Sequence, residues 1–281
     1  MPTGQRGTLA ITSKNTRSCV PSILHARVPR CAAVEGGPGL CSTIDRMRSH
    51  KPKKHRLCVL AAVALSAFVA PSANAQSDDE FQLWSALLGS AAFQPETPRV
   101  SLWFDLHARR GEAGTVLIVR PGIGLAVTDW LSLWVGYAWV PVFTDGAGSR
   151  SEHRLWQQAI LTRSIGGWTL QARTRFEQRF SEAGDVVGFR LRQFVRANWQ
   201  PTSAPVGVAV WDELFLGLND TDWGAPAGFD QNRLFIGPFL QMTPWARLEA
   251  GYLFVYLRRE PVDRIAHTLA INFFVSLRPS R

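Results

Sequence analysis

The segment RTRFEQR (173–179) sets Arg173, Arg175, Glu177 and Arg179 on alternate positions, with Thr174, Phe176 and Gln178 between them. In an extended strand alternate residues share a face. One side of this segment therefore carries three guanidinium groups and a carboxylate, and the other a phenyl ring. A sheet in water turns its charged side to solvent, whereas a strand whose other side meets hydrocarbon turns the charges inward. Which of the two applies decides the fold.

The flanking sequence favours the second. Period-2 alternation recurs in VSLWFDLHA (100–108), TVLIVRPGIGLAV (115–127), LSLWVGYAWV (131–140), WTLQARTRFEQRF (168–180), FRLRQFVRANW (189–199), RLFIGPFLQM (233–242), RLEAGYLFVY (247–256) and HTLAINFFVSL (267–277). It is less clean in 152–164 and 207–218, and FQLWSALLGSA (81–91) is ambiguous between strand and helix. Strands of soluble sheets average about five or six residues; these runs are closer to the ~9–11 that a membrane-crossing strand needs. Short links at 128–130, 164–167, 200–205 and 243–245 are interleaved with mostly longer ones at 144–151, 181–186, 218–229 and 258–264, the turn-and-loop asymmetry of an outer-membrane barrel. Each short link also has a tryptophan beside it. Trp130, Trp168, Trp199 and Trp245 are thus expected to form an aromatic girdle at the membrane interface, opposite Phe143, Phe180, Phe189 and Tyr256.

The expected fold is therefore all-β: an antiparallel up-and-down transmembrane β-barrel of about 10 to 12 strands, following a cleaved signal peptide. Ten strands between Val100 and Leu277 make an even closed set, leaving 81–91 as a periplasmic segment, a plug or part of a twelve-stranded arrangement.

Charge agrees with export rather than with a nucleic-acid partner. The chain of 281 residues carries a net +9, but residues 1–75 hold eleven Lys and Arg against two acids, leaving twenty Arg, no Lys and twenty Asp plus Glu in 76–281. The body is neutral, so no basic groove for phosphates is expected. From Met47 the chain reads MRSHKPKKHR, then LCVLAAVALSAFV, then APSANA: a basic region, an apolar region and an Ala-x-Ala cleavage site. The division expected is 1–46 a mis-assigned upstream start, disordered; 47–75 a signal peptide; 76–98 an N-terminal segment or first strand; and 99–281 the barrel. All four cysteines (Cys19, Cys31, Cys41, Cys58) precede Ala75, so the exported part holds together without disulfides.

In a membrane barrel the apolar face points outward and the polar face into the lumen. This sends Leu170, Ala172, Thr174 and Phe176 outward, with the rows Leu117, Val119, Ile123, Leu125 and Leu269, Ile271, Phe273, Val275. The lumen receives a charge network of Glu152, Arg154, Arg173, Arg175, Glu177, Arg179, Arg190, Arg192, Glu213 and Arg233, with Arg120, Arg196, Arg247 and Glu249 also inward. The hairpin turning near Gly166-Gly167 pairs positions that sum to 331 or to 333. The first sets Glu152 against Arg179 and Arg154 against Glu177; the second makes Arg154 and Glu177 diagonal neighbours, within reach of each other. Arginine suits such pairing because its planar fork grips a carboxylate with two hydrogen bonds.

EHRLWQQ (152–158) followed by RTRFEQR, the pair Asp212-Glu213, FDQNRLFIG (229–237) and two Gly-Tyr steps (Gly136-Tyr137, Gly251-Tyr252) resemble the bacterial domain of unknown function 2490 family. That resemblance implies an outer-membrane barrel and no particular activity. The ending LRPSR is not the aromatic terminus read by the barrel assembly machinery, so Phe273 and Phe274 would have to serve.

No cofactor or metal site is expected: His107 and His267 fit no ligand spacing, and turn chemistry accounts for NDTDWG (219–224), a fragment of a calcium loop without its glutamate. Gly122-x-Gly124 reads as small inward residues making room for bulky neighbours rather than as a phosphate loop. Ser151 and His153 share a face near Asp145, the raw material of a lipid acyl hydrolase, but one Ser-x-His at a strand edge is weak ground, and no catalytic residue is assigned. The expected protein is a non-enzymatic outer-membrane barrel with a charge-paired, filled lumen. Its partners are outer-membrane lipid, the assembly machinery and any small-molecule ligand, which the sequence leaves unknown. A narrow anion-favouring channel for small solutes is the alternative.

Overall fold

The structure, a computed structural model, describes residues 77–93 and 99–277. The upstream stretch 1–46 and the segment 47–75 expected to be a signal peptide lie outside the described residues, as do 76, 94–98 and 278–281. Twelve strands follow in chain order: β1 (Ser77–Ala92), β2 (Val100–Gly111), β3 (Gly114–Val119), β4 (Gly122–Ala126), β5 (Leu131–Thr144), β6 (Gly148–Ile165), β7 (Trp168–Ser181), β8 (Gly188–Trp199), β9 (Val206–Gly217), β10 (Gly228–Thr243), β11 (Ala246–Leu257) and β12 (Asp263–Leu277). They form one closed barrel, mostly antiparallel.

Strands β3 and β4 are two halves of a single stave. Both pair with β2 on one side and β5 on the other. The break falls at Arg120-Pro121, where proline brings no amide hydrogen to the ladder. The Arg120 amide donates to the Asp105 carbonyl (2.9 Å) and the Tyr137 amide to the Pro121 carbonyl (3.1 Å), which keeps the halves in line. Eleven staves therefore encircle the lumen.

An odd number cannot alternate in direction all the way round. β1, containing the ambiguous 81–91, pairs antiparallel with β2 and parallel with β12, in register from Ser77↔Asp263 to Ala91↔Leu277. The purely antiparallel closure expected from ten strands is corrected: the leftover segment is the eleventh stave. The loop asymmetry is also weaker than expected. Strands β5 and β6 extend to Thr144 and Gly148, and β2–β3 turns at that same end through Gly111 and Gly114, so 218–227 is the one connection there that much exceeds those at the other rim.

Side chains follow the alternation. Inward residues fill two apolar clusters on facing walls: Ile118, Ala138, Val140 and Trp156 on β3, β5 and β6, and Ala209, Phe235, Phe239, Leu253, Val255, Ala266 and Ala270 on β9 to β12. Gly122, Gly124 and Gly136 make the first possible. A Cβ at Gly124 would lie 2.1 Å from the Trp134 ring, one at Gly122 2.6 Å from the Trp156 ring, and one at Gly136 2.3 Å from both Trp156 and the Pro121 carbonyl oxygen. Because part of that last obstacle is backbone, Gly136→Ala should cost about 1–3 kcal/mol by overpacking, read as a lower urea midpoint with an unchanged slope.

Outward positions are apolar and open. Leu102, Leu106, Val119, Ile123, Leu133, Val135, Val208, Val210, Leu234, Ile236, Leu269 and Ile271 are all exposed. The polar side chains on this face are engaged by one another: Gln157 with Gln178 (3.2 and 3.3 Å), Thr174 with Gln193 (2.7 Å), Asn232 with Asp212 (3.0 Å), Tyr252 with His267 (2.7 Å), and Tyr137 with His153. In both Gly-Tyr steps the tyrosine faces outward and binds a histidine of the next strand.

Candidate functional site

The charge-bearing rows of the consecutive strands β6, β7, β8, β9 and β10 line one wall of the lumen, and all ten residues named from the sequence as its charge network lie on them. Glu152 is the first node. It accepts from Arg154 (Nε 2.8 Å, Nη2 2.9 Å) and from Arg179 (Nε 2.5 Å, Nη2 3.1 Å), a two-fork clamp on one carboxylate. Glu177 is the second: Arg190 reaches Oε2 (2.5 and 3.0 Å), Arg192 reaches Oε1 (2.7 Å), and Arg175 stands 3.7 Å away. Glu213 is the third, accepting from Arg192 (2.6 and 3.0 Å) and Arg173, with Arg233 at 3.8 Å. Arg192 thus bridges Glu177 and Glu213, so that a chain of alternating charge runs along the inner wall across the neighbouring strands β7, β8 and β9 at mid-height.

The hairpin register corrects one expectation. Gly166-Gly167 is a two-residue loop between the paired Ile165 and Trp168, and the β6–β7 pairs sum to 333. Arg154 therefore opposes Arg179, with Glu152 holding both, and the expected Arg154–Glu177 contact is replaced by Arg190 and Arg192 on Glu177.

Further groups complete the interior. Asp105, 1% exposed, binds Arg120 (2.5 Å) and His107; Glu249, wholly buried, binds Arg196 and accepts from Asn272 (3.3 Å). A β-bulge between Phe229 and Gln231 turns both Asp230 and Gln231 inward, and Asp230 accepts from Arg259 (2.9 Å) with Arg190 at 3.5 Å. Asp105, Arg109 and Asp230 were missed by sequence reasoning. The alternation Asp105-x-His107-x-Arg109 was the available signal for the first two; the bulge hides the third. Aromatic faces take what the carboxylates do not: Arg175 lies 4.8 Å above Trp156, Arg192 4.5 Å and Arg233 4.4 Å from Phe215, and Arg247 4.4 Å from Phe274. Such contacts stabilise a cation most where water is excluded.

Two cavities flank these groups among the described residues. One of about 500 Å³ lies towards the rim of the 218–227 loop, and the other, of about 350 Å³, lies at the Trp168 rim. They share no lining residue; Arg173, Arg175, Glu177, Glu213 and the aromatic residues around them stand at mid-height. Trp130, Trp168, Trp199 and Trp245 are exposed at the second rim, Trp168 directly opposite Trp199.

The remaining sequence candidates are held in other ways. Asp145 is bound by Arg110 (2.5 and 3.1 Å), whose hydrogen bonds hold its carboxyl below the usual range, and His153 Nδ1 is taken by the Tyr137 hydroxyl. Ser151, His153 and Asp145 thus form no relay. In NDTDWG, Asp222 accepts the amides of Asp185 (2.9 Å) and Val186 (3.2 Å), which hold its pKa down, and Asp220 accepts that of Ala227 (2.8 Å). These carboxylates tie loops to loops. Among the described residues no cluster of His, Cys, Asp or Glu has metal-binding geometry.

Comparison with known proteins gives a family and no function. Residues 81–266 match the model for "Protein of unknown function (DUF2490)". An uncharacterized protein of Methylorubrum extorquens is 37% identical over 237 residues, covering 79% of this chain and 98% of its own length. No solved structure matches. The matched region runs from β1 into β12 and takes in every charged node described above, and the chain belongs to the DUF2490 family of proteins of unknown function.

Proposed function

We propose that this protein is an outer-membrane β-barrel of a Gram-negative bacterium, held rigid by an ionic lattice and closed at mid-height rather than acting as a through-channel. The observation that carries the membrane reading is the outward face of exposed apolar side chains, aliphatic on most staves and aromatic (Trp168, Phe180, Phe189, Trp199) on β7 and β8. An apolar surface that wraps a whole barrel far exceeds the few hundred Å² that a soluble monomer tolerates, and closure leaves no unpaired strand edge for hydrocarbon to meet. Two features agree with it: the tryptophans at one rim, a girdle at a lipid–water interface, and the mutual hydrogen bonding of outward polar groups, which lipid cannot satisfy. Support for a closed lumen comes from the separation of the two cavities by the Glu177–Arg192–Glu213 layer.

Fractionation tests both parts. The full chain expressed in a Gram-negative host should sediment with outer membranes, resist extraction without detergent and migrate faster on gels before boiling than after. In planar bilayers it should give no conductance steps. Recovery in the periplasmic extract would refute the membrane reading, and stable unitary conductance would refute the closed lumen.

A further inference from the structure

The charge ledger of the loop-side cavity does not balance. Its lining holds ten arginines and three carboxylates, and the acids behind it, Asp105, Glu177 and Glu213, hold only Arg120, Arg190 and Arg192 of the ten at close range. All three carboxylates are already engaged: Glu80 by Gln82, Glu152 by Arg154 and Arg179, and Asp230 by Arg259 and Arg190. Arg109 is the extreme case, with no carboxylate partner among the described residues. Its guanidinium lies 4.1 Å over the Trp84 ring. Arg233 lies over the same ring at 4.9 Å, and its nearest carboxylate is the 3.8 Å contact with Glu213. The Nε atoms of Arg109, Arg120 and Arg233 are buried with no acceptor.

Like charges crowded along a cavity open at one rim, with guanidinium nitrogens short of acceptors, are what a fold holds in place for an anion. Guanidinium forks match the oxygen geometry of phosphate and carboxylate, and about 500 Å³ is the volume of a small-molecule site. We propose that this cavity binds a small polyanion carrying two or more phosphate or carboxylate groups, with Arg109 and Arg233 as its principal ligands and Trp84 as the platform that orients both. The inference rests on the closed-barrel reading above: the layer beneath makes the cavity a dead-end site rather than the mouth of a passage.

The test is calorimetric titration of the full chain, purified in detergent from a Gram-negative host, with pyrophosphate and separately with citrate, which distinguishes the two oxyanion classes. Saturable one-to-one binding of either is expected. Arg109→Gln and Arg233→Gln should each weaken it by about tenfold or more, as loss of a charge-assisted contact entails, whereas Arg247→Gln, in the other cavity, should leave it unchanged. Arg109→Gln removes a charge without a counter-ion, so this variant should keep its heat-modifiable gel mobility, and Arg233→Gln provides an independent arm. Absence of saturable binding by a folded barrel, or equal affinity in Arg109→Gln, would overturn the proposal while leaving the barrel intact. A wild-type chain without heat-modifiable mobility would overturn the barrel reading first.

Discussion

Glu177→Ala should lower the stability of the folded barrel by about 3–5 kcal/mol, the range for removing one partner of a buried ion pair. The residue is 1% exposed, and three arginines converge on it, two of them at 2.5–3.0 Å. Removing the carboxylate leaves Arg190 and Arg192 less neutralised, and Arg175, which has only Gln158 (2.8 Å) and the Trp156 face besides, loses its nearest anion. The cost is set by desolvated charge left behind rather than by hydrogen bonds lost. Urea unfolding in detergent, followed by gel mobility and tryptophan fluorescence, reads it directly. A midpoint unmoved from wild type would mean that water reaches the layer and that the lumen is open.

Ile236→Arg is the second large effect and bears on the opposite face. Ile236 lies midway along β10, 53% exposed, opposite Val210 on one side and Tyr252 on the other. In water, a substitution at so open a position stays within about ±0.5 kcal/mol. At the midplane of a bilayer, arginine on the outer wall costs about 2–4 kcal/mol. Unfolding in phospholipid vesicles should therefore show a loss in that range, with a smaller loss for the same change at Leu248, nearer the Trp245 rim. Equal and negligible losses at both positions would place the outer wall in water.

The facing of the wall could be read from the sequence because alternation is a local property. RTRFEQR, FRLRQFVRANW and RLFIGPFLQM carry their charged residues on one parity, and that parity is inward in the structure. The same holds for Gly122 and Gly124, whose missing side chains are filled by Trp156 and Trp134. What could not be read was relational. The segment 81–91 hides its alternation because its inner face meets an apolar wall: Trp84 packs against the Phe235 cluster, and Ala86 is buried. Both faces are then greasy, and no polar stripe marks the strand. The β6–β7 register was recoverable in principle, since a two-residue Gly-Gly hairpin with Gly166 at φ +58° fixes the pairing of Ile165 with Trp168. Arg109 was obscured by its neighbour Arg110, which points outward to Asp145, because two adjacent arginines give no parity by themselves.

The parallel seam between β1 and β12 restricts how this chain could be rearranged. In an even-stranded barrel the first and last staves run oppositely, their ends meet at one rim, and a short loop can join them to yield a circular permutant. Here residues 77 and 277 stand at opposite rims, separated by fifteen paired positions, roughly 50 Å of strand at about 3.3 Å per residue. A connector between them must climb the full height of the wall, through lumen or lipid, so the order in which the staves follow one another is locked into the molecule far more firmly than its ring shape suggests.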